Sequence, residues 1–222
     1  MALLHRAELT PSKTELIDSW APGQPWFAGE RGVASASVGA FRFDDPEGEV
    51  GVETLLIHAG VGPIMQIPLT YRGAPLDGAE AALIGTMQHS VLGKRWVYDG
   101  AADPVYILTT ATAALSGGHE AALFVDVDGE RVKREPTAIV HGSGSGPTDI
   151  ALPAVADVSV RNEGQVTVVE TTALVLAIRR VLDGSAVERP AAQTGTASAD
   201  ALLSGTWGDI TEPQPLVRVA SR

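Results

Sequence analysis

The sequence predicts an α+β fold: a largely antiparallel sheet on which a helix packs, with additional β-hairpins towards the C-terminus. Three observations lead there. Most apolar runs alternate with period two, tight-turn residues separate consecutive runs, and only two segments combine a helix start signal with helical spacing. With 222 residues, 45% of them hydrophobic, the chain can bury a core of ordinary size as one domain, or one and a half.

The first helix opens at Ser12, which stands three residues before Glu15 in a capping-box arrangement. Leu16, Ile17 and Trp20 follow at helical spacing, and Pro22 predicts the end. Strands are expected at Ser37 to Phe43, Val50 to His58 and Met65 to Tyr71. In the last, Met65, Ile67, Leu69 and Tyr71 share one face, and Pro68 marks the strand as an edge or a bulge. The second helix has Asp103 as N-cap, Pro104 in its first position and Gly117-Gly118 as a left-handed stop. Ile107, Leu108, Ala111 and Leu115 form its apolar stripe. Further strands are expected at Ala121 to Val127, Thr137 to His141, Val155 to Arg161 and Val166 to Thr172, with turns at Asp128-Gly129 and Asn162-Glu163-Gly164. From Gly184 to Gly205 small and polar residues dominate, which predicts an extended loop. Leu202, Leu203, Trp207 and Leu216 to Val219 then return to the body as a closing strand. The expected division is 1–183 for the main domain and 184–222 for an extended C-terminal segment.

Composition excludes several functions. A formal charge of −11 opposes a phosphate backbone or an anionic lipid surface, so no nucleic acid and no membrane is expected as partner. No run reaches the ~18 apolar residues of a membrane helix. The opening MALLHRAEL places His5, Arg6 and Glu8 where a secretory leader is apolar, so a cytoplasmic protein is expected. The chain has no cysteine, which removes thiolate chemistry and disulfides.

Candidate sites are few. His5, His58, His89, His119 and His141 show no HxxxH spacing, and no metal or other cofactor is expected. Gly142-Ser143-Gly144-Ser145-Gly146 has the composition of a phosphate-cradling loop, yet Pro147 and a β-rich segment follow it rather than a helix. No G-x-S-x-G elbow presents a nucleophilic serine. The densest polar group is His89, Lys94, Arg95, Trp96, Tyr98 and Asp99. An aromatic face with charged groups at hydroxyl positions is the chemistry of sugar binding, and these six are the candidate ligand-binding residues. The alternative is a strand with Trp96 and Tyr98 on the core and Lys94 and Arg95 near solvent.

The stretch Ile67 to Asp103, IPLTYRGAPLDGAEAALIGTMQHSVLGKRWVYDGAAD, together with PWFAG at Pro25 to Gly29, ALIG ending at Gly85, and the YDG and DP pair, resembles the N-terminal cap domain of actinobacterial maltokinases. Those enzymes are sugar kinases of the aminoglycoside-phosphotransferase type, and the resemblance implies a cystatin-like cap, a strongly curved, largely antiparallel sheet packed on a long helix. It also implies a following strand with a run like LLLKLYRR, whose lysine holds nucleotide phosphates. Here the comparable run is Ala173 to Arg180, followed by VLDG at Val181 to Gly184, and the lysine position falls on Leu176 or Ala177. There is no lysine after Lys133 and no segment like the family's HGD or metal-binding aspartate motif. With the chain ending at Arg222, the expectation is a cap-like module, with the start of kinase N-lobe-like strands in 1–183 and no catalytic lobe. Its expected role is non-catalytic interaction or regulation in trehalose or α-glucan (maltose) metabolism, with a sugar kinase or α-glucan enzyme as protein partner. The alternative is a small sugar-binding protein or enzyme using Arg95, Trp96 and Asp99.

Overall fold

The computed structural model describes residues 2–4, 8–127, 130–146, 149–183 and 200–222. In chain order the elements are β1 (Ala2–Leu4), β2 (Leu9–Thr10), α1 (Lys13–Trp20), β3 (Ser35–Phe43), β4 (Gly51–Ala59), β5 (Ile64–Arg72), β6 (Leu83–His89), β7 (Gly93–Asp99), α2 (Pro104–Ser116), β8 (Leu123–Val127), β9 (Glu130–Arg134), β10 (Ala138–Gly142), β11 (Ser159–Glu163), β12 (Val166–Glu170), β13 (Leu174–Arg179), β14 (Val181–Leu182), β15 (Asp200–Trp207) and β16 (Ile210–Ser221). The Asp128-Gly129 turn, His5 and residues 184–199 of the expected loop lie outside the described residues.

Local signals account for both helices. The Ser12 side chain accepts from the Glu15 amide at 3.2 Å, and Glu15 answers by accepting from the Ser12 amide at 2.7 Å, which satisfies two of the free N–H groups at the start of α1. Asp103 accepts from the Val105 amide at 2.9 Å, and α2 stops at Gly117, whose φ of 72° is open to glycine without strain. Within α2 the Thr109 hydroxyl donates back to the Val105 carbonyl at 2.8 Å, so a buried hydroxyl is satisfied without leaving the helix.

The strands form three curled, mostly antiparallel sheets. The first has the order β2-β6-β7-β5-β4-β3, with β14 paired to the start of β5. The second has the order β10-β15-β16-β13-β12-β11, and the third is a ribbon of β1, β8 and β9 in which β1 runs parallel to β8. Register shifts at Ser37/Gly39 in β3, Leu83/Gly85 in β6 and Leu203/Ser204 in β15 mark bulges that add local twist. Alternation gives the first sheet two buried faces. Leu55, Ile57, Met65, Ile67 and Val97 pack on Leu16 and Ile17 of α1 and on Trp26. On the opposite side Phe41, Val52 and Leu56 join Ile107, Ala111 and Ala114 of α2 and Leu176, Leu203 and Val219 of the second sheet in one larger core.

Four expectations are corrected. The long helix is α2, which runs only 13 residues; Gly117 and the Gly118 amide, which donates to the Ala113 carbonyl at 2.8 Å, close it. Pro68 does not mark an edge, because β5 lies inside the first sheet. The Gln66 amide points away from β4 to the Arg180 carbonyl at 2.9 Å, and Pro68, two residues on, has the same orientation. It falls between the β14 pairing at Ile64 and Met65 and the β7 pairing that begins at Leu69, where no donor is required. Asp200, Ala201, Ser204 and Gly205, read as loop around the expected strand residues Leu202 and Leu203, belong with them to β15, which pairs with β16 from Asp200 and with β10 from Leu203 on. Val155 to Asp157 is a 3-10 turn leading into β11.

The buried surface of α2 is wider than a stripe. It includes Val105, Tyr106, Thr110 and Ala113 as well as Ile107 and Ala111, whereas Leu108 and Leu115 are only partly buried. Ile107→Ala is therefore expected to lower stability in chemical denaturation by about 2 to 5 kcal/mol, and Leu108→Ala by less; the reverse order would contradict this placement of the helix.

Candidate functional site

The six candidate ligand residues all lie on the β6–β7 hairpin, but its pleat divides them. Strand β7 is regular from Gly93 to Asp99, so Lys94, Trp96 and Tyr98 face one way and Arg95, Val97 and Asp99 the other. Trp96 is half-buried beneath the Lys94 ammonium, 4.7 Å from the ring centroid, a cation–π contact of modest strength. Tyr98 is buried, and its hydroxyl accepts from the Leu76 amide at 2.8 Å. His89 closes the hairpin by accepting from the Val91 and Leu92 amides at 3.2 and 3.0 Å. Arg95 donates to the Leu92 carbonyl at 2.7 Å. Trp96 thus does not share a face with Arg95 or Asp99, and His89 and Arg95 contact the backbone of their own hairpin turn.

Asp99 belongs to a different centre, one that spacing did not announce. Its carboxylate accepts from the Ala101 amide at 3.2 Å and from Arg180 Nη2 at 2.6 Å. Arg180 is fully buried. Its Nε donates to the Thr167 hydroxyl at 2.8 Å, and its guanidinium lies 4.8 Å from the centre of the Trp26 ring. The nearby Tyr106 hydroxyl, beside Thr54 and Thr110, is pushed up to about 12 by burial. Gln66 completes the junction by donating to the carbonyls of Arg179 and Leu216 at 2.8 and 3.2 Å. One signal was available in the sequence: two consecutive arginines closing an apolar run, at least one of which is forced inward by strand alternation.

Two further carboxylates are buried beside cations. Asp103 accepts both Arg72 Nε and Nη2 at 2.7 Å as well as the Thr70 hydroxyl at 2.7 Å, so the α2 N-cap is locked to β5. On the α1 face Glu53 accepts Lys13 Nζ at 2.5 Å and the Tyr71 hydroxyl at 2.7 Å. Burial pushes the Glu53 carboxyl up, but Lys13 and Arg42 with these hydrogen bonds outweigh it and hold the group below its ordinary 4.5. Burial, followed by the Glu53 charge, raises Tyr71 well above its ordinary value.

The glycine-rich loop meets the wrong end of a helix for an anion. The amides of Gly144 and Gly146 donate to the Ala114 and Leu115 carbonyls at 2.9 and 3.2 Å, at the C-terminus of α2. A Cβ at Gly142 or Gly144 would overlap the Ala113 or Leu115 carbonyl. These glycines allow close approach to a negative helix end, which repels phosphate. Leu176 and Ala177, at the lysine position implied by the resemblance, are buried in the middle of β13. No helix among the described residues is long and apolar enough to cross a membrane.

Two stability measurements check these centres. Arg180→Met is expected to cost about 3 to 5 kcal/mol, because it leaves Asp99 without its buried partner; a loss within experimental error would mean that the pair is not formed. Because the folded Glu53 carboxyl titrates below its unfolded value, its contribution is complete above pH 4.5 and is lost as the pH falls further. Glu53→Gln is therefore expected to be less stable than the parent at neutral pH, with the gap narrowing below pH 4.5; a constant gap in urea melts across that range would remove the pair from the account.

No curated protein matches the chain. A family model does match, from Trp20 at the end of α1 to Asp103 at the N-cap of α2. Residues 20–103 of this chain are thereby similar to the maltokinase N-terminal cap domain, the family whose model they match.

Proposed function

We propose that the chain is a non-catalytic cap-like module that engages a protein partner in α-glucan or trehalose metabolism, a sugar kinase or an α-glucan enzyme, and modulates it. The observation that carries this reading is the cap-domain match over residues 20–103. It is joined to a second sheet in which apolar, buried Leu176 and Ala177 stand where the kinase resemblance calls for a lysine. The division of Trp96 from Arg95 and Asp99 by the pleat favours a contact surface over a sugar pocket. Of the two tryptophans suited in principle to anchor a partner, Trp207 is buried in the larger core. Trp96, half-buried on the hairpin whose turn exposes Val91 and Leu92, is the better anchor.

The test uses the whole purified chain with a purified maltokinase-type kinase or α-glucan enzyme from the same cell. A complex in calorimetry or size-exclusion chromatography, weakened by Trp96→Ala in a chain that still folds, is the expected result. Binding of maltose or a glucan by the chain alone, with no complex, would replace this reading with the sugar-binding one. The chain alone is also expected to form no sugar phosphate from ATP and maltose; product formation that a substitution in this chain abolishes would overturn the non-catalytic part.

A further inference from the structure

We propose that His119 and His141 form a two-imidazole site for a late first-row divalent cation such as Zn2+. The two residues are far apart in sequence but are directly opposed in an antiparallel bridge. Opposed residues place their side chains on one face with Cβ atoms roughly 4.5 to 5.5 Å apart. Both histidines are exposed. On β10 the burial pattern alternates, with Val140 and Gly142 inward and Ile139 and His141 outward.

The backbone around His119 is fixed from both sides. Before it, the Gly142 amide donates to the Gly118 carbonyl at 2.8 Å; after it, the Val140 amide donates to the Glu120 carboxylate at 2.9 Å. The bridge is therefore held in register without the two side chains, which is the preorganisation a binding site needs. The His119 ring has a set tautomer as well. Its Nδ1 lies 2.8 Å from the Glu120 carbonyl, and a carbonyl only accepts, so Nδ1 carries the hydrogen and donates. The lone pair is left on Nε2. A ring N–H given to a backbone carbonyl is the usual outer partner of a metal-bound histidine, where it orients the ring and raises its basicity.

Imidazole ligands select Zn2+, Cu2+ and Ni2+ over the hard cations Mg2+ and Ca2+, which require oxygen. A chain with a formal charge of −11 also attracts cations to its surface. No group of three or more His, Cys, Asp or Glu that could hold a metal gathers among the described residues, so water fills the remaining coordination positions.

The experiment titrates untagged protein with Zn2+, which is diamagnetic, and follows histidine ring and backbone amide resonances by NMR together with calorimetry. The expected result is saturable one-to-one binding whose first shifts centre on His119 and His141, with Mg2+ producing none. His119→Ala and His141→Ala, each shown folded by its amide spectrum, should each weaken binding by roughly tenfold or more, at least what loss of an outer partner alone causes. His58→Ala should leave it unchanged. Absence of saturable binding, shifts centred elsewhere, or affinity indifferent to both substitutions would overturn the proposal; His119→Gln, which keeps a polar side chain of similar length, separates loss of the ligand from loss of the bridge.

Discussion

The Arg180 guanidinium is the constraint on which the other contacts between the two large sheets depend. A charged group this deep is costly to bury, and it is retained only where its surroundings return the hydrogen bonds of water. Asp99 of the first sheet and Thr167 of the second accept from Nη2 and Nε, and the Trp26 ring lies against the guanidinium, whose Nη1 has no hydrogen-bond partner among the described residues. The main chain of the same residue takes part: its amide donates to the Gln165 carbonyl at 2.8 Å and its carbonyl accepts from Gln66. A shift of one sheet past the other would break the carboxylate and hydroxyl contacts at once. The junction therefore fixes a relative position that apolar packing, which has little directional preference, leaves loosely defined.

Elements written in local code were legible in the sequence. The Ser12 and Asp103 caps and the Gly117 stop each act within a few residues of themselves, and α1 and α2 begin and end where those residues predict. Strand pairing is not local in this sense. Nothing near Ala201 or Leu203 indicates that β15 lies between β10 and β16. The small residues that gave this stretch the look of a loop are there because neighbours come close: a Cβ on Gly205 would stand 3.0 Å from both the Leu216 and the Val140 side chains. Pro68 misled for a related reason, since the need for a backbone donor depends on which strands flank β5, and one of these is supplied by residues 181–182.

The candidate sugar-binding group shows the same limit at the level of a site. His89 to Asp99 is dense in suitable side chains, but density along a strand says nothing about convergence, because neighbours in sequence point to opposite faces. Asp99 ends in a long-range polar centre, and its partner Arg180 lies far along the chain. The Gly142 to Gly146 loop is the converse case. Its composition suits an anion, and its amides do bind negative groups, but these are the carbonyls at the end of α2.

The pairing of β14 with β5 bears on what counts as a unit of this protein. The stretch that matches the cap family ends at Asp103, yet β5 within it is completed by Val181 and Leu182, and Asp99 and Trp26 meet their cationic partner only at residue 180. A fragment cut at the family boundary would expose Met65 and leave the Gln66 amide and the Asp99 carboxylate to solvent. The border of the matched stretch and the border of the folded sheet thus differ: the match is contiguous in sequence, while the first sheet is closed by residues from beyond it.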